Sequence, residues 1–535
     1  MITKKTSVIV LSVVLIAVVV GLTYFFKQQQ RPPVSPNVGP RAFVVINAGD
    51  DAAAIVRKAA TVVPSPAQLA WQEREFTAFA HFGMNTFTDR EWGQGTEDPK
   101  LFNPTNFDAR QWVRVIRDAG MKMIIVTARR HDGFCLWPSA LTEHSVKNSP
   151  WKGGKGDVVA EVSAACREES LAFGVYLSPW DRHEPSYGDS PRYNEHFRGQ
   201  LRELLTNYGP ISEVWFDGAN GEGPNGKKQI YDWPSYYKVI RELQPQAVIF
   251  GMAPDVRWVG TESGYGRETE WSVVPADVPD PSAGAIPPGH PLDGAFSPKD
   301  LTAEDLGSRA RIASAKALAW YPAETDVSIR PGWFYHPKED GQVKSPDKLV
   351  DIYFSSVGRN GVLLLNIPPD KRGRISDFDA EALNGMRRIL DETFKTNLAA
   401  GAGNRASSEV AAHPGAAAVD GDAKTYWSPN GDGGSSWIEF DLGGDKTFDC
   451  AMLQENIALG QRVESFHLEA EAGGVWKEFA KGTTIGYKRL LRFPPVAAFK
   501  VRLTIDQARA IPTIAHFGLY KMAGAAAVPA GKKVP

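Results

Sequence analysis

Cysteine is scarce in this chain, and cysteine spacing of the metal-binding type is absent. Of the 535 residues only three are cysteines, Cys135, Cys166 and Cys450, and they lie far apart in the sequence. An odd number of widely spaced cysteines predicts neither a disulfide framework nor a site of paired thiolates. A glycine-rich dinucleotide fingerprint is also missing after every apolar run, which disfavours a Rossmann-type sheet.

An excess of charge of either sign is absent as well. Lys and Arg number 60 against 62 Asp and Glu, a formal net charge of -2, so nucleic acid is not expected as a partner. The composition is that of an ordinary globular protein, and the length allows two or three domains. Fifteen Trp and 15 Tyr supply flat aromatic faces that suit sugars, although most aromatic residues in any protein belong to the core.

A long apolar run lies near the N-terminus. The run SVIVLSVVLIAVVVGLTYFF (Ser7–Phe26) follows Lys4 and Lys5 and carries no charge. As a helix it would be about 30 Å long, enough to cross the hydrocarbon core of a bilayer. We predict a signal anchor over residues 1–27, with a signal peptide cleaved near Gly21 as the alternative. Both interpretations export the chain, which is then membrane-anchored in the periplasm or outside the cell, or secreted after cleavage.

Two other segments lack the apolar periodicity of a folded domain. Residues 28–62 begin with QQQRPPVSPNVGPR and are predicted to form an extended linker without a core of its own. Residues 524–535 contain GAAAVPAGKKVP and are predicted to be a disordered tail. The folded part of the chain is therefore expected between these two segments.

Residues 63–396 alternate short apolar strands with amphipathic segments of helix length. The strand candidates are Phe76–Gly83, Met123–Ala128, Phe173–Pro179, Glu213–Gly218, Val248–Pro254 and Val362–Pro369. The helix candidates include Asp108–Ala119, Val158–Leu171, Pro191–Tyr208 and Ala303–Ala319. Nearly all-apolar strands that alternate with helices predict a parallel sheet covered by helices. We therefore predict an α/β fold, and the length of the region favours a (β/α)8-type barrel.

Polar residues follow the apolar runs directly. In a barrel, the residues that carry the chemistry collect at the carboxyl ends of the strands. The candidates at these positions are His81 after the first strand, Arg130, His131 and Asp132 after the second, Trp180 and Asp181 after the third, and Asp217 after the fourth.

Two carboxyl groups would allow such a barrel to cleave glycosidic bonds, one as nucleophile or base and one as acid. In SEVWFDGANGEG, Asp217 ends an apolar strand; the alternative is an aspartate that caps a turn. Glu262, Glu268 and Glu270 lie in the loop after the fifth predicted strand. The residues alone leave the choice among these three open, and a salt bridge with Arg267 is plausible for Glu268 or Glu270.

Seven motifs in order resemble glycoside hydrolase family 29, the retaining α-L-fucosidases. The resemblance runs from about Pro66 to Leu390. The motifs are HFGMNTF (His81–Phe87), EWG (Glu91–Gly93), RRHDGFCLWPS (Arg129–Ser139), GVYLSPWDRH (Gly174–His183), EVWFDGA (Glu213–Ala219), WVGTESG (Trp258–Gly264) and DVSIRPGWFYH (Asp326–His336).

The resemblance implies an exo-α-L-fucosidase that removes terminal L-fucose from a fucosylated oligosaccharide or glycoconjugate by double displacement, without a cofactor. Asp217 would be the nucleophile. The form RWVGTE is similar to the subgroup selective for α-1,3 and α-1,4 linkages, in which Glu262 would be the acid/base. The positions that would hold the fucose hydroxyls or its methyl face are His81, Glu91, Trp92, His131, Tyr176, Trp215 and Trp333.

The chain departs from the family pattern at two positions. Arg130 stands where the family often has the first of two histidines, and Thr261 stands where the subgroup commonly has Asn. Two other functions remain open: a glycan-binding protein without catalysis, and a barrel glycosidase for a related sugar such as α-L-galactose. A metal site formed by His81, His131 and Asp132 is disfavoured because no tight ligand spacing supports it.

Residues 397–523 change to short alternating strands among Gly, Pro and Asn, which predicts a β-sandwich. AVDGDAKTYWSP (Ala418–Pro429), followed by SWIEFDLG, resembles the discoidin-like, or family 32 carbohydrate-binding, modules. In those modules a loop like Asp420–Thr425 can bind a structural Ca²⁺, often completed by a C-terminal Glu. Here His516 lies near that place, so calcium is doubtful. Sugar binding and a purely structural cover for the barrel are equally favoured for this domain.

Overall fold

The computed structural model describes residues 42–251, 255–276, 304–431 and 435–524. The predicted anchor or signal segment at 1–27, the linker up to residue 41 and the tail from residue 525 lie outside these ranges. Within them, no helix combines the length and the apolar character that crossing a membrane requires.

The first part of the described chain contains eleven strands and ten α-helices. The strands are β1 (Phe43–Val45), β2 (Phe76–Ala80), β3 (Met123–Arg129), β4 (Ala172–Leu177), β5 (Glu213–Trp215), β6 (Val248–Phe250), β7 (Arg257–Trp258), β8 (Val273–Ala276), β9 (Ala317–Trp320), β10 (Ala323–Ser328) and β11 (Val362–Asn366). The helices are α1 (Ala52–Thr61), α2 (Pro66–Gln72), α3 (Met84–Thr88), α4 (Ala109–Asp118), α5 (Val158–Glu168), α6 (Ser190–Asn207), α7 (Trp233–Leu243), α8 (Arg309–Ile312), α9 (Pro346–Ser356) and α10 (Asp377–Phe394).

Eight strands form a nearly closed parallel barrel, as predicted. They pair in the order β6-β5-β4-β3-β2-β11-β10-β7, and every ladder is parallel. A further parallel bridge joins Phe250 at the end of β6 to Val256, which precedes β7, and so brings the two ends of the sheet together. The carboxyl ends of all eight strands therefore face one common mouth.

The barrel contains two strands that the apolar pattern did not predict, β7 and β10. β7 has only two residues, and β10 carries Glu324 and Asp326, both of them buried. Because a strand with acidic side chains in the interior breaks the apolar pattern, hydrophobicity alone does not reveal it. As a consequence, Glu262 follows β7 and not the strand predicted at Val248–Pro254, of which residues 252–254 lie outside the described ranges.

The helices predicted near α4, α5 and α6 are present, but the predicted helix Ala303–Ala319 is wrong. Only α8 is helical in the described part of that segment, and Ala317–Trp320 forms β9. The four residues of β9 have no exposed surface. β9 lies between β1 and β8 in a small antiparallel sheet, and its alternate residues enter two different apolar clusters. Both faces of this strand are therefore covered, and its apolar run has no amphipathic pattern.

Residues 42–62 differ from the predicted linker. They form β1, which pairs with β9, and α1, whose N-cap Asp51 accepts a hydrogen bond from the Ala54 backbone amide. Ile55, Ala59 and Val62 pack in a cluster with Ile312 and Trp320. Burial of these apolar side chains against the barrel domain explains why the segment folds although it is too short to form a core alone.

The C-terminal domain is an antiparallel sheet domain. Its strands are β12 (Gly403–Ala406), β13 (Ser436–Glu455), β14 (Val463–Ala472), β15 (Val475–Gly482), β16 (Arg489–Ala508) and β17 (Ile514–Tyr520). They pair in the order β12-β13-β16-β14-β15, and β17 pairs with β13. The core of the domain includes Phe440 stacked on Phe517, with ring centroids 4.4 Å apart. The predicted all-β architecture of this region is confirmed.

Candidate active site

A β-bulge at the end of β3 turns two side chains into the mouth of the barrel. The pairing of β3 with β4 shifts register between Thr127 and Arg129. A bulge bends a strand and redirects the side chains that follow it. Arg130 and His131 come directly after this irregularity, and both reach Asp217 at the end of β5.

Asp217 lies two residues after β5 and is held by a set of donors. Its Oδ2 accepts hydrogen bonds from Arg130 Nη1 and from the Tyr176 hydroxyl, each at 2.9 Å. Its Oδ1 accepts one from the backbone amide of Ala219 at 2.8 Å. His131 Nε2 lies 3.6 Å from Oδ2, beyond hydrogen-bond distance. The carboxyl group is thus oriented through both of its oxygens.

These donors keep Asp217 ionised in spite of its burial. Burial alone would raise the pKa of Asp217, but the positive charge of Arg130 and the hydrogen bonds from Ala219 and Tyr176 lower it below its ordinary value. Arg130 also donates to the Tyr176 hydroxyl at 2.7 Å, which aligns that hydroxyl toward the carboxylate. A deprotonated, oriented carboxylate is suited to attack an electrophilic carbon.

Asp217 and Glu262 line the same cavity, of about 260 Å³. This volume lies near the lower end of ligand pockets, ~300 Å³, and suits a single sugar ring. The lining residues are Trp215, Phe216, Asp217, Gly218, Ala219, Phe250, Gly251, Trp258, Glu262 and Asp326. Gly251 has a φ of 107°, and a Cβ there would lie 2.2 Å from the Phe216 carbonyl oxygen, so a larger residue would disturb the strand end that carries Asp217.

Glu262 and Trp333 meet across the mouth. The Trp333 indole Nε1 donates to Glu262 Oε2 at 3.2 Å, and Glu262 is solvent-exposed. Trp333 also contacts His81, with ring centroids 5.1 Å apart. One side of the cavity is therefore solvated and carries a carboxyl group, which suits proton exchange with a leaving group.

The other two candidates from the same loop are engaged elsewhere. Glu268 forms an ion pair with Arg489 and a second one with Arg359 at 2.9 Å. Glu270 is buried and pairs with Arg257 and, at 3.4 Å, with Arg267. The predicted salt bridge with Arg267 is confirmed for Glu270, whereas Glu268 pairs with arginines from other parts of the chain.

Two predicted histidines are neutral and have a defined tautomer. Burial lowers the pKa of His131 to about 3 and that of His81 well below its ordinary value. His131 Nδ1 lies 2.7 Å from Ser178 Oγ, whose own proton goes to the Trp180 carbonyl, so the imidazole donates through Nδ1. His81 Nδ1 donates to Asn366 Oδ1 at 2.9 Å. In each ring Nε2 remains an acceptor for a sugar hydroxyl.

Aromatic rings form the wall beneath Asp217. Trp215 stacks on Phe250, with ring centroids 4.2 Å apart, and on Tyr176 at 5.3 Å. The Trp215 indole is fixed by a 2.8 Å hydrogen bond to Glu324, which faces Glu213. Burial raises the pKa of Glu213 to about 7 and that of Glu324 well above its ordinary range. Because both pKa values are raised, Glu213 and Glu324 do not both carry a negative charge beneath the Trp215 ring.

Glu91 and Trp92 lie at the periphery of this network. Glu91 accepts hydrogen bonds from the backbone amides of Trp333 and Phe334 at 2.9 and 3.1 Å, and one involving His336 Nε2 at 2.7 Å. Trp92 is 51% exposed and contacts His131, with ring centroids 5.1 Å apart. Neither lines the cavity, but Glu91 supports Trp333, and Trp92 extends an aromatic face beside His131.

Two residues at the site, Asp326 and Arg130, received no catalytic or substrate-binding role from the sequence. Asp326 lines the cavity and accepts a hydrogen bond from the Trp258 indole at 2.8 Å. Burial, together with the nearby charge of Glu262, raises the pKa of Asp326 to about 7, although the hydrogen bond from Trp258 opposes this shift. Arg130 was a strand-end candidate and a departure from the family pattern, but the sequence did not predict its direct contact with Asp217. The signal for Asp326 was its place in the last family motif.

Metal ligation is not supported by the described residues. In the ranges that the structure covers, no group of three His, Cys, Asp or Glu side chains is arranged to hold an ion. His81 and His131 have the separate partners given above, and Asp132 accepts a hydrogen bond from the Phe134 amide at 2.8 Å. In the loop Asp420–Thr425, Asp420 Oδ2 accepts from the Thr425 hydroxyl at 2.8 Å.

The comparison with known families decides the assignment. The alpha-L-fucosidase family model matches residues 56–252 and 299–393, more than half of the chain. The chain belongs to the glycoside hydrolase family 29 α-L-fucosidases. This α-L-fucosidase domain is followed by a match to the F5/8 type C domain over residues 404–517, which is the discoidin-like module. The protein is thus a glycoside hydrolase, and members of this family need no cofactor.

Relatives cover most of the fucosidase chain. "Alpha-L-fucosidase 1" of Arabidopsis thaliana is 42% identical over 470 residues, which are 86% of this chain and 87% of that protein. A crystal structure from Bacteroides ovatus, named provisionally as an α-L-fucosidase, has a TM-score of 0.78 and 49% identity, over 92% of this chain and 79% of that one. A Ruminococcus gnavus family 29 fucosidase in complex with fucose has a TM-score of 0.77 and 32% identity, over 92% and 98% of the two chains.

Proposed function

We propose that this α-L-fucosidase is a retaining exo-enzyme that releases terminal L-fucose from α-1,3- and α-1,4-branched glycans. The observation that carries the proposal is that Asp217 and Glu262, from separate loops, line one cavity of the size of a sugar ring. In the first step Asp217 attacks the anomeric carbon while Glu262 protonates the leaving oxygen. In the second step Glu262 removes a proton from water, which displaces Asp217.

The walls of the cavity support fucose as the sugar. The cavity has an apolar surface suited to the C6 methyl group, formed by Trp215, Phe216, Phe250 and Trp258. The C6 hydroxyl of α-L-galactose would find no hydrogen-bond partner on this surface. The unprotonated Nε2 atoms of His81 and His131 supply acceptors for sugar hydroxyls. The R. gnavus relative, crystallised with fucose, is consistent with this substrate class.

The linkage preference gives the direct test of the proposal. Because a site that contacts the branch gains binding energy in the transition state, kcat/KM for a Lewis-type fucosylated trisaccharide should exceed that for an unbranched α-1,2-linked fucoside by roughly 10-fold to 100-fold. NMR of the first-formed sugar should show the α-anomer, since double displacement retains configuration. Equal turnover of both linkages would contradict the branch selectivity, and an initial β-anomer would contradict the retaining mechanism. Faster hydrolysis of the matching α-L-galactoside would contradict fucose as the preferred sugar.

Arg130 should set the acidic limit of activity. Its charge holds the pKa of Asp217 below its ordinary value against burial, so Arg130→Met raises that pKa and requires a higher pH for the ionised carboxylate. The acidic limb of the kcat/KM profile should therefore move to higher pH in this variant. Arg130→Lys, which keeps a positive charge, is the matched control and should leave the limb closer to that of the unmodified enzyme. An acidic limb that stays in place in Arg130→Met would contradict the assignment.

A further inference from the structure

The Glu262 loop, residues 259–270, has two unlike halves. Its first half carries Glu262, which is exposed and whose side chain bonds the Trp333 indole at 3.2 Å. At its middle, the Gly264 amide donates to the Asp326 carbonyl at 3.1 Å. Gly264 has a φ of 75°, and a Cβ there would come within 2.8 Å of Val327, so the chain passes very close to β10. The catalytic half is thus an exposed arch that is anchored to β10 at both ends, by Gly264 and by the Val259 amide, which donates to the Glu324 carbonyl at 2.9 Å.

The second half of the loop is bound by the C-terminal sheet domain. Arg489, the first residue of β16, donates to the Glu268 carbonyl at 2.6 Å and also pairs with the Glu268 carboxylate. Thr483, in the turn between β15 and β16, donates to the same carbonyl at 3.2 Å and accepts from the Thr269 hydroxyl at 2.9 Å. Three polar groups of two adjacent loop residues, the carbonyl and carboxylate of Glu268 and the hydroxyl of Thr269, are therefore bound by the sheet domain.

The end of the loop is held in the same way. Gln461 Nε2 and the Thr484 hydroxyl both donate to the Glu270 carbonyl, at 3.0 and 3.2 Å. Gln461 Oε1 accepts from the Ser272 amide at 2.7 Å. Gln461, Thr484 and Arg489 are all buried, so these bonds form in a region from which water is largely excluded.

A second path joins the loop to the sheet domain through α9. The Tyr265 hydroxyl donates to Asp351 Oδ2, and Arg492 of β16 donates to Asp351 Oδ1, both at 2.7 Å. The Gly266 amide donates to the Ser355 carbonyl at the end of α9, also at 2.7 Å. The segment that immediately follows Glu262 is therefore held from two directions.

We infer that the sheet domain is a positioning element of the active site, which through Arg489 and Thr483 fixes the loop that presents Glu262 to the leaving group. This inference rests on the proposed role of Glu262 as acid/base. It gives the domain a function in catalysis that requires no sugar site on the domain itself. Arg489 and Thr483 touch neither substrate nor cavity and act only through the loop.

The physical basis is the distance dependence of proton transfer. A general acid must lie within hydrogen-bond reach of the oxygen that it protonates, about 2.6 to 3.2 Å. A displacement of about 1 Å can lower a rate on the order of 100-fold. Only five residues lie between Glu262 and Glu268, so loss of the Glu268 contacts leaves the arch with Val259, Gly264, Tyr265 and Gly266 as its supports.

The test uses the full chain and compares two leaving groups. An aryl fucoside with an acidic phenol needs little protonation, whereas a fucosylated trisaccharide with an alcohol leaving group needs it fully. Arg489→Met should lower kcat/KM for the trisaccharide by roughly 10-fold to 100-fold and that for the aryl fucoside by less than about threefold. Thr483→Val is a nearly isosteric change that removes two loop contacts. It should also lower kcat/KM selectively for the trisaccharide, but by a smaller factor.

A control from the same domain interface separates positioning from stability. Arg309 pairs with Glu464 of the sheet domain at 2.7 Å but has no contact with the Glu262 loop. Arg309→Met should therefore lower kcat/KM for both substrates equally or not at all. Thermal unfolding of each variant shows whether it is folded at the assay temperature. Equal losses on both substrates in folded Arg489→Met and Thr483→Val would overturn the inference. Glu262→Gln, assayed in parallel, tests the proposed acid itself. If this variant lowers kcat/KM by the same factor for both substrates, the acid/base role of Glu262 is wrong, and the failure lies in that role and not in the positioning by the sheet domain.

Discussion

Asp217→Ala is expected to lose kcat on the order of 10⁴-fold or more on every fucoside, because the covalent step has no nucleophile. The loss should not depend on the leaving group, since the variant lacks the attacking atom and not the proton. Discontinuous assay of fucose release by the purified, folded variant measures the effect. The same variant removes the acceptor of Arg130 and Tyr176, so its fold should be checked by thermal unfolding before the rates are compared.

Azide makes this test specific to the nucleophile. In Asp217→Ala the ion can occupy the space of the missing carboxylate and attack from the same face, so the product should be β-L-fucosyl azide. Asp326→Asn is the matched control, because it removes a carboxyl charge from the same cavity and keeps an oxygen that can accept from Trp258. If Asp326→Asn shows the large loss and the azide rescue while Asp217→Ala stays active, the nucleophile has been assigned to the wrong aspartate.

Glu262→Ala is expected to lower kcat/KM for the branched trisaccharide by about 10² to 10⁴-fold, the usual contribution of a general acid. For an aryl fucoside with an acidic phenol the same parameter should change little, because that leaving group departs without a proton. Azide should now attack the fucosyl-enzyme from the side of Glu262 and give α-L-fucosyl azide, the opposite anomer to that from the Asp217 variant. Steady-state kinetics on both substrates and NMR of the azide product measure these outcomes.

The neighbouring acids of the same loop provide the comparison for Glu262. Glu268→Gln keeps the shape of a side chain that pairs with Arg489 and Arg359, and by the positioning argument it should give only a partial loss. Azide should not rescue it, since the acid/base carboxyl is still present. If instead Glu268→Gln gives the full leaving-group dependence with azide rescue and Glu262→Ala does not, the acid/base is Glu268.

The barrel was predictable because most of its strands obey a simple physical rule. β2, β3, β4 and β11 are almost fully buried on both faces, so they read as apolar runs, and polar residues begin where each strand leaves the sheet. Asp217 became a candidate by this rule alone. β10 broke the rule because it places Glu324 and Asp326 inside the barrel, where one is bonded to the Trp215 indole and the other to the Trp258 indole.

The sequence by itself determined the class of fold, the family and the two carboxyl groups of the proposed mechanism, since these depend on local periodicity and on short motifs. Only the tertiary structure decided what surrounds them. The bulge in β3 brings Arg130 onto Asp217, and burial gives His81 and His131 their neutral state. Contacts between residues more than two hundred positions apart, such as Arg489 with Glu268, join the sheet domain to the Glu262 loop. Such contacts arise from packing of distant segments, which no local pattern of residues encodes.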